Sequence, residues 1–286
     1  MEEELTQYNQ FFERVASDGQ QFEKEYDAGL SEILLFVVSW LALLQLRNNI
    51  SETYNSQRAL FNVTQLALFR SALWRFIANS QVGSGLFKAI GKIDGYAGSI
   101  DKYLGKIGAG NVMDRGALLN LVKLSKSNLE AQLLTAGIDA YLVSPVMATL
   151  QSGIVGDVSR AGLIESVRVL LAPGAKLNQY VKQATNDAVN GFIANYQRAQ
   201  AKQIGLAHYL YDGVSVADSR PFCLARKGKV FTEQEVESWA LKSWEGKVPT
   251  TTAQSIFVYR GGYNCIDHLR PIPEKWYEKL KNAEKK

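Results

Sequence analysis

Both cysteines and both histidines of this 286-residue chain fall in one 61-residue window near the C-terminus: His208, Cys223, Cys265 and His268. Two thiolates and two imidazoles are a donor set for a tetrahedral structural zinc ion. Cys265 and His268 are three residues apart, a spacing that lets both face one metal, but there is no C-x-x-C knuckle. The same residues admit two other readings. Two buried thiols can simply fill a small hydrophobic core. Outside a reducing cytosol, Cys223 and Cys265 would instead pair as a disulfide. Catalysis by a Cys–His pair needs more than the residue types, and no recognised nucleophile signature surrounds either cysteine.

The elements that must position these residues are short. His208-Tyr209-Leu210-Tyr211 is aromatic and strand-like, and Asp212-Gly213 is a turn signal. Ser255-Ile256-Phe257-Val258-Tyr259 is a second strand candidate, closed by Gly261-Gly262. Four of the six prolines lie beyond residue 220. Before Gly205 the grammar is helical. There is no proline ahead of Pro145, and long stretches rich in Leu, Ala, Gln and Glu make long helices the default. The chain therefore reads as α+β: a mostly helical region over residues 1–205, then a small α+β module over 206–286.

Within the helical region, residues 5–26 pattern as an amphipathic helix inside an acidic arm, residues 1–30. Residues 31–47 form an apolar helix. Residues 56–79 carry Leu60, Val63, Leu66, Leu68, Leu73, Trp74 and Phe76 at helical spacing. Residues 83–110 hold eight glycines and repeat the triplet Gly-Lys-Ile at 91–93 and 105–107, so a mobile loop or two short broken helices is expected. The spacing there does not fit a Walker phosphate loop, because five residues separate Gly85 from Gly91 and Ile93 follows Lys92. Residues 115–143 read as helix, and Ser144-Pro145 as a break or restart. Asp157 or Ser159 is placed to cap a helix running to Leu171, which Ala172-Pro173-Gly174 ends. Residues 176–204 make one more long helix, stopped at Gly205.

The run from Ile33 to Leu46 is 14 residues long, short of the roughly 20 that a membrane span needs. A buried helix is expected, with Leu35 in the core; exposure of the run to lipid or to a partner is the alternative. Met1-Glu2-Glu3-Glu4 is acidic where a secretory leader is basic, so secretion is not expected. The net charge of +4 is unevenly spread: −6 over residues 1–30, +4 over 31–110, +2 over 111–200 and +4 over 201–286. This is a solvated acidic arm on a mildly basic body, compatible with weak contact to a polyanion and without a dense basic tract.

The order of features from 209 to 272 resembles the phage Mu F-like head-morphogenesis domain of the minor head proteins of tailed phages. It begins with Tyr209-Leu210-Tyr211-Asp212-Gly213, an aromatic strand and a glycine turn. Asp218-Ser219-Arg220-Pro221-Phe222-Cys223 follows, then Gly228-Lys229-Val230-Phe231-Thr232 and a short helix from Glu233 to Trp239. The module closes on Gly261-Gly262-Tyr263-Asn264-Cys265 and on Pro271-Ile272. The stretch from Leu177 to Ala201 is similar to the long helix that precedes this module in the family, so the resemblance covers about residues 160–273. The chain departs from the family at Ile266-Asp267, where members carry Arg-His or Arg-Cys, and it lacks a second cysteine near Cys223.

The resemblance implies a minor structural protein of the phage head interior, bound to the portal and to capsid or scaffolding protein. It also implies assembly in the host cytoplasm, non-specific contact with packaged double-stranded DNA, and passage with DNA at ejection. Cys223 and Cys265 are the matched pair and are implied to approach each other. Arg226, Lys227 and Lys229 are the candidate phosphate contacts, against the alternative of a solvated loop. No enzyme is expected: residues 1–205 hold no catalytic constellation, and the 13 residues after Pro273 are too few for a fused toxin domain. No cofactor is required beyond the possible zinc.

Overall fold

The computed structural model describes residues 1–47, 56–108, 115–172, 174–213, 219–263 and 265–284. Pro173, Asp218, Asn264 and Gly110, all singled out above, lie outside the described residues. The fold is α+β: mostly helical, with a three-stranded antiparallel sheet near the C-terminus. Helices α1 to α8 cover Glu2–Leu41, Ser56–Asn79, Gln81–Gly91, Ile93–Ile107, Arg115–Ala131, Ser144–Val155, Arg160–Leu170 and Lys176–Gln203. The first strand, β1, is His208–Asp212.

Two compact units emerge, and neither is a continuous stretch. One gathers Met1–Arg14, Lys92–Ser127 and Asp187–Lys286; the other gathers Val15–Gly91 and Asn128–Asn186. The change of grammar at residue 205 marks the end of α8 and the approach of β1. The units themselves part elsewhere, because α1 and α8 each contribute residues to both.

The acidic arm and the apolar run form one unbroken helix, α1, whose residues from Val15 onward belong to the second unit. Ile33, Val37 and Leu41 recur every four residues and are fully buried, and Leu44 follows them inward. Phe36 stacks on Phe76, and Trp40 on Phe69 of α2. Leu35 is 68% exposed, which corrects its assignment to the core: it lies half a turn from the buried row. The chain after α1 is fastened by Arg160, which donates to the carbonyls of Ala42 and Leu44. Ser159 caps α7 by accepting from the Gly162 N–H.

The glycine-rich segment resolves into α3 and α4, whose apolar positions, such as Ile93, Ile100 and Leu104, are buried. Ser144-Pro145 does not break the chain. Residues Gln132–Val143 form a π-helix, and the Ser144 N–H bonds the Asp139 carbonyl five residues back. Pro145 sits in the first turn of α6, where its missing donor disturbs no α-helical bond. The joined helical stretch Val122–Val155 is long and apolar enough to cross a membrane, by length and composition alone, and 41% of its most apolar window is buried.

The first unit holds the sheet, ordered β2-β1-β3, with β2 at Val230–Thr232 and β3 at His268–Ile272. β1 is central and antiparallel to both neighbours. Its alternation sends Tyr209 and Tyr211 into a core with Phe222, Cys223, Val236, Trp239, Ile256, Phe257 and Leu269. Pro271 is tolerated because β3 pairs only with β1. The outer carbonyls of β3 are taken by side chains: Leu269 O accepts from Gln197 and Pro271 O from Tyr103.

Short helical pieces complete the module: α9 at Pro221–Leu224, α10 at Glu233–Ser238 continued by a 3-10 turn at Trp239–Leu241, α11 at Ile256–Tyr259 and α12 at Glu274–Ala283. A capping box between Thr232 and Glu235 starts α10. Ser255–Tyr259 is not the expected strand. The Thr252 and Ser255 hydroxyls bond each other's backbone N–H, and Ile256 N–H returns to the Thr252 carbonyl, so the run begins as a helical turn.

Candidate functional site

Three distant segments meet at the Tyr211 hydroxyl. Tyr211 points from β1 into the core, Cys223 sits in α9, and Cys265 and Asp267 lie on the connection into β3. The Tyr211 hydroxyl is 3.3 Å from Cys223 Sγ, 3.8 Å from Cys265 Sγ and 3.4 Å from Asp267 Oδ2. Cys265 Sγ is 3.9 Å from the same carboxylate oxygen. One ligand atom from each of Cys223, Cys265 and Asp267 lies within 4.8 Å of the others. Cys223 and Asp267 are buried, Cys265 is half-buried, and both cysteines are free thiols.

Two glycines make the approach possible. A β-carbon at Gly213 would fall 2.3 Å from Asp267 Oδ1 and 2.8 Å from its Cα. Gly261 stands in the same relation to the sulfurs and donates its N–H to Cys265 Sγ at 3.3 Å. The loop that carries Gly261 is pinned by Trp244 Nε1, which donates to the Gly261 carbonyl, and by buried Arg260, which donates to the Cys265 carbonyl. Arg260 holds a φ of 42°, a conformation uncommon for a residue with a β-carbon.

The electrostatics separate the two thiols. The hydrogen bond to Cys265, and then burial, push the Cys223 thiol up. The same bond, assisted by the Arg260 guanidinium and the Gly261 N–H, pulls the Cys265 thiol down. Burial, reinforced by the neighbouring thiols, keeps the Tyr211 hydroxyl protonated. Asp267 Oδ1 pairs with Lys227 Nζ at 3.0 Å.

The two histidines do not join this centre. His208 is paired with Ile272, and His268 with Asp212, at opposite ends of the β1–β3 ladder. Four residues of strand separate these positions, about 13 Å. His208 stacks on Tyr277, and His268 stacks on Phe12 with ring centroids 3.5 Å apart. Of the four residues grouped by spacing, the structure brings Cys223 and Cys265 together with Asp267 beside them, and places the histidines elsewhere. Asp267 stood out in sequence only as a departure from the family order, and Tyr211 only as a strand residue; a Cys-x-Asp spacing was the available signal.

The basic loop is also drawn into the fold. Arg226 lies over the rings of Phe222 and Trp239, donates to the Phe222 carbonyl, and has its charged form disfavoured by burial. Lys227 serves Asp267, so Lys229 is the exposed member of the three. A cleft of about 420 Å³ opens between the start of α1 and α4, where Arg14 and Lys106 bond Ser99 and Gln7 respectively.

No protein-family model, no curated protein and no solved structure matches this chain.

Proposed function

We propose that this chain is a minor head protein of a tailed phage, a non-catalytic structural component of the capsid interior that binds the portal and takes part in head assembly. One observation carries the reading. The ordered segments that resemble the Mu F-like module, separated by up to about 50 residues, converge on one small sheet and one buried centre: Tyr211 of β1, Cys223, Gly261 and Cys265. Segments matched by order alone need not pack together; that these do supports their being parts of one module.

The proposed partners are the portal ring, capsid or scaffolding protein, and packaged double-stranded DNA held by charge without sequence reading. The proposed location is the virion interior, after assembly in the host cytoplasm. The long helices α1 and α8 suit a rigid docking element. The test is co-expression of the full chain with a portal protein from the same genome, followed by size-exclusion chromatography. Co-elution with intact portal rings is expected. Elution of the chain apart from intact rings, together with its absence from purified particles, would overturn the proposal. Flotation of the chain with liposomes would move the reading to an ejected, membrane-active protein.

A further inference from the structure

We propose that Cys223, Cys265 and Asp267 bind one zinc ion, with the Tyr211 hydroxyl at the fourth corner, and that this ion ties β1, α9 and the loop before β3 together. The argument is geometric. Zinc bonds thiolate sulfur at about 2.3 Å and carboxylate oxygen at about 2.0–2.2 Å in tetrahedral sites, which sets ligand–ligand edges of about 3.3–3.8 Å. The edges here are 3.3 Å from Tyr211 to Cys223, 3.4 Å from Tyr211 to Asp267, 3.8 Å from Tyr211 to Cys265 and 3.9 Å from Cys265 to Asp267. These four of the six edges have the lengths of a zinc tetrahedron, and the remaining two, from Cys223 to Cys265 and to Asp267, lie within 4.8 Å.

The surroundings fit an ion as well. The donor set is soft on one side and hard on the other, a mixture that suits zinc over magnesium or calcium. Asp267 presents Oδ2 to the sulfurs, and its Oδ1 is held by Lys227, the usual arrangement for a ligating carboxylate oriented by a neighbour. Gly261 N–H points at Cys265 Sγ, a bond that favours the thiolate. Two thiolates and a carboxylate around a divalent ion leave one net negative charge. Lys227 and the Arg260 guanidinium, which donates to the Cys265 carbonyl, stand beside it. On binding, both thiol protons leave to solvent and Tyr211 keeps its own. Gly213 and Gly261 leave room for the ligands where any side chain would occupy it.

This inference is independent of the head-protein reading, and neither fails with the other. The test uses the full chain, reduced and freed of metal by a chelator, and titrated anaerobically with Co(II). The expected result is saturation at one equivalent, with thiolate-to-cobalt charge transfer and the strong visible bands of tetrahedral cobalt, both displaced by Zn(II). Asp267→Asn should keep the fold and weaken cobalt binding by at least about 10-fold, and Cys265→Ser should reduce the charge-transfer band to that of the single remaining thiolate, Cys223. Zinc should also raise the thermal midpoint of the wild-type chain. Absence of charge transfer in the folded, reduced wild type would overturn the proposal, with no need of the variants. Equal affinity in Asp267→Asn would remove Asp267 from the site, and the ligand set with it.

Discussion

Gly261 lies so close to Cys223 that a β-carbon on it would sit 2.2 Å from the Cys223 sulfur, and 3.0 Å from that of Cys265. Both sulfurs are held by other bonds, so neither can retreat cheaply. Gly261→Ala is expected to destabilise the chain by about 1–3 kcal/mol, the usual cost of overpacking a filled core. Gly98→Ala, in the interior of α4, meets nothing within 4 Å and should stabilise it by about 0.5–1 kcal/mol. Urea unfolding of the two variants checks both signs.

The buried row of α1 distinguishes a core helix from a lipid-facing one. Val37 is fully buried and Leu35 is 68% exposed. Val37→Asp should cost about 3–5 kcal/mol, because it leaves a carboxylate unpaired in the core. Leu35→Asp should fall within about 0.5 kcal/mol of wild type. Thermal unfolding of both variants reads the difference; equal losses would mean that Leu35 is covered.

Glu233 is the acid-sensitive point of the module. Burial alone would raise its carboxyl, but bonds from Arg198 and Lys202 outweigh burial and hold it below the ordinary value of 4.5. A carboxyl lowered in the folded state binds fewer protons there than in the unfolded chain. Its stabilisation is present above the unfolded value and is lost as pH falls through the folded one. Glu233→Gln should therefore cost about 1–2 kcal/mol at pH 7, and that difference should shrink toward zero as the medium is acidified below about pH 4. Unfolding midpoints of wild type and variant at a series of pH values measure it.

Arg226 and Lys229 separate folding from DNA contact. Arg226→Ala removes a stack on Phe222 and a bond to its carbonyl, and should cost about 1–2 kcal/mol of stability. Lys229→Gln, at an exposed position, should leave stability alone and lower the slope of log affinity against log salt by about 0.9 on duplex DNA. An unchanged slope would exclude this loop from the DNA contact.

The local elements are legible in the order of residues alone. The span of α2, the Ser159 cap of α7, the stop of α8 at Gly205 and the strand at β1 rest on periodicity, caps and turn residues within a few positions of each other. Tertiary structure decided what depends on partners. Ile256–Tyr259 has the composition of a strand, but hydroxyl caps wound it into a turn. His268–Ile272 holds a proline and still pairs, because the edge of the sheet asks nothing of its N–H. His208 and His268 share a window with the cysteines in sequence, yet antiparallel register places them at opposite ends of a ladder. Asp267 and Tyr211 enter the centre because pleat alternation and the empty flanks of Gly213 and Gly261 bring them there. Sequence spacing measures distance along the chain, whereas a coordination sphere is a distance through space that register and packing set.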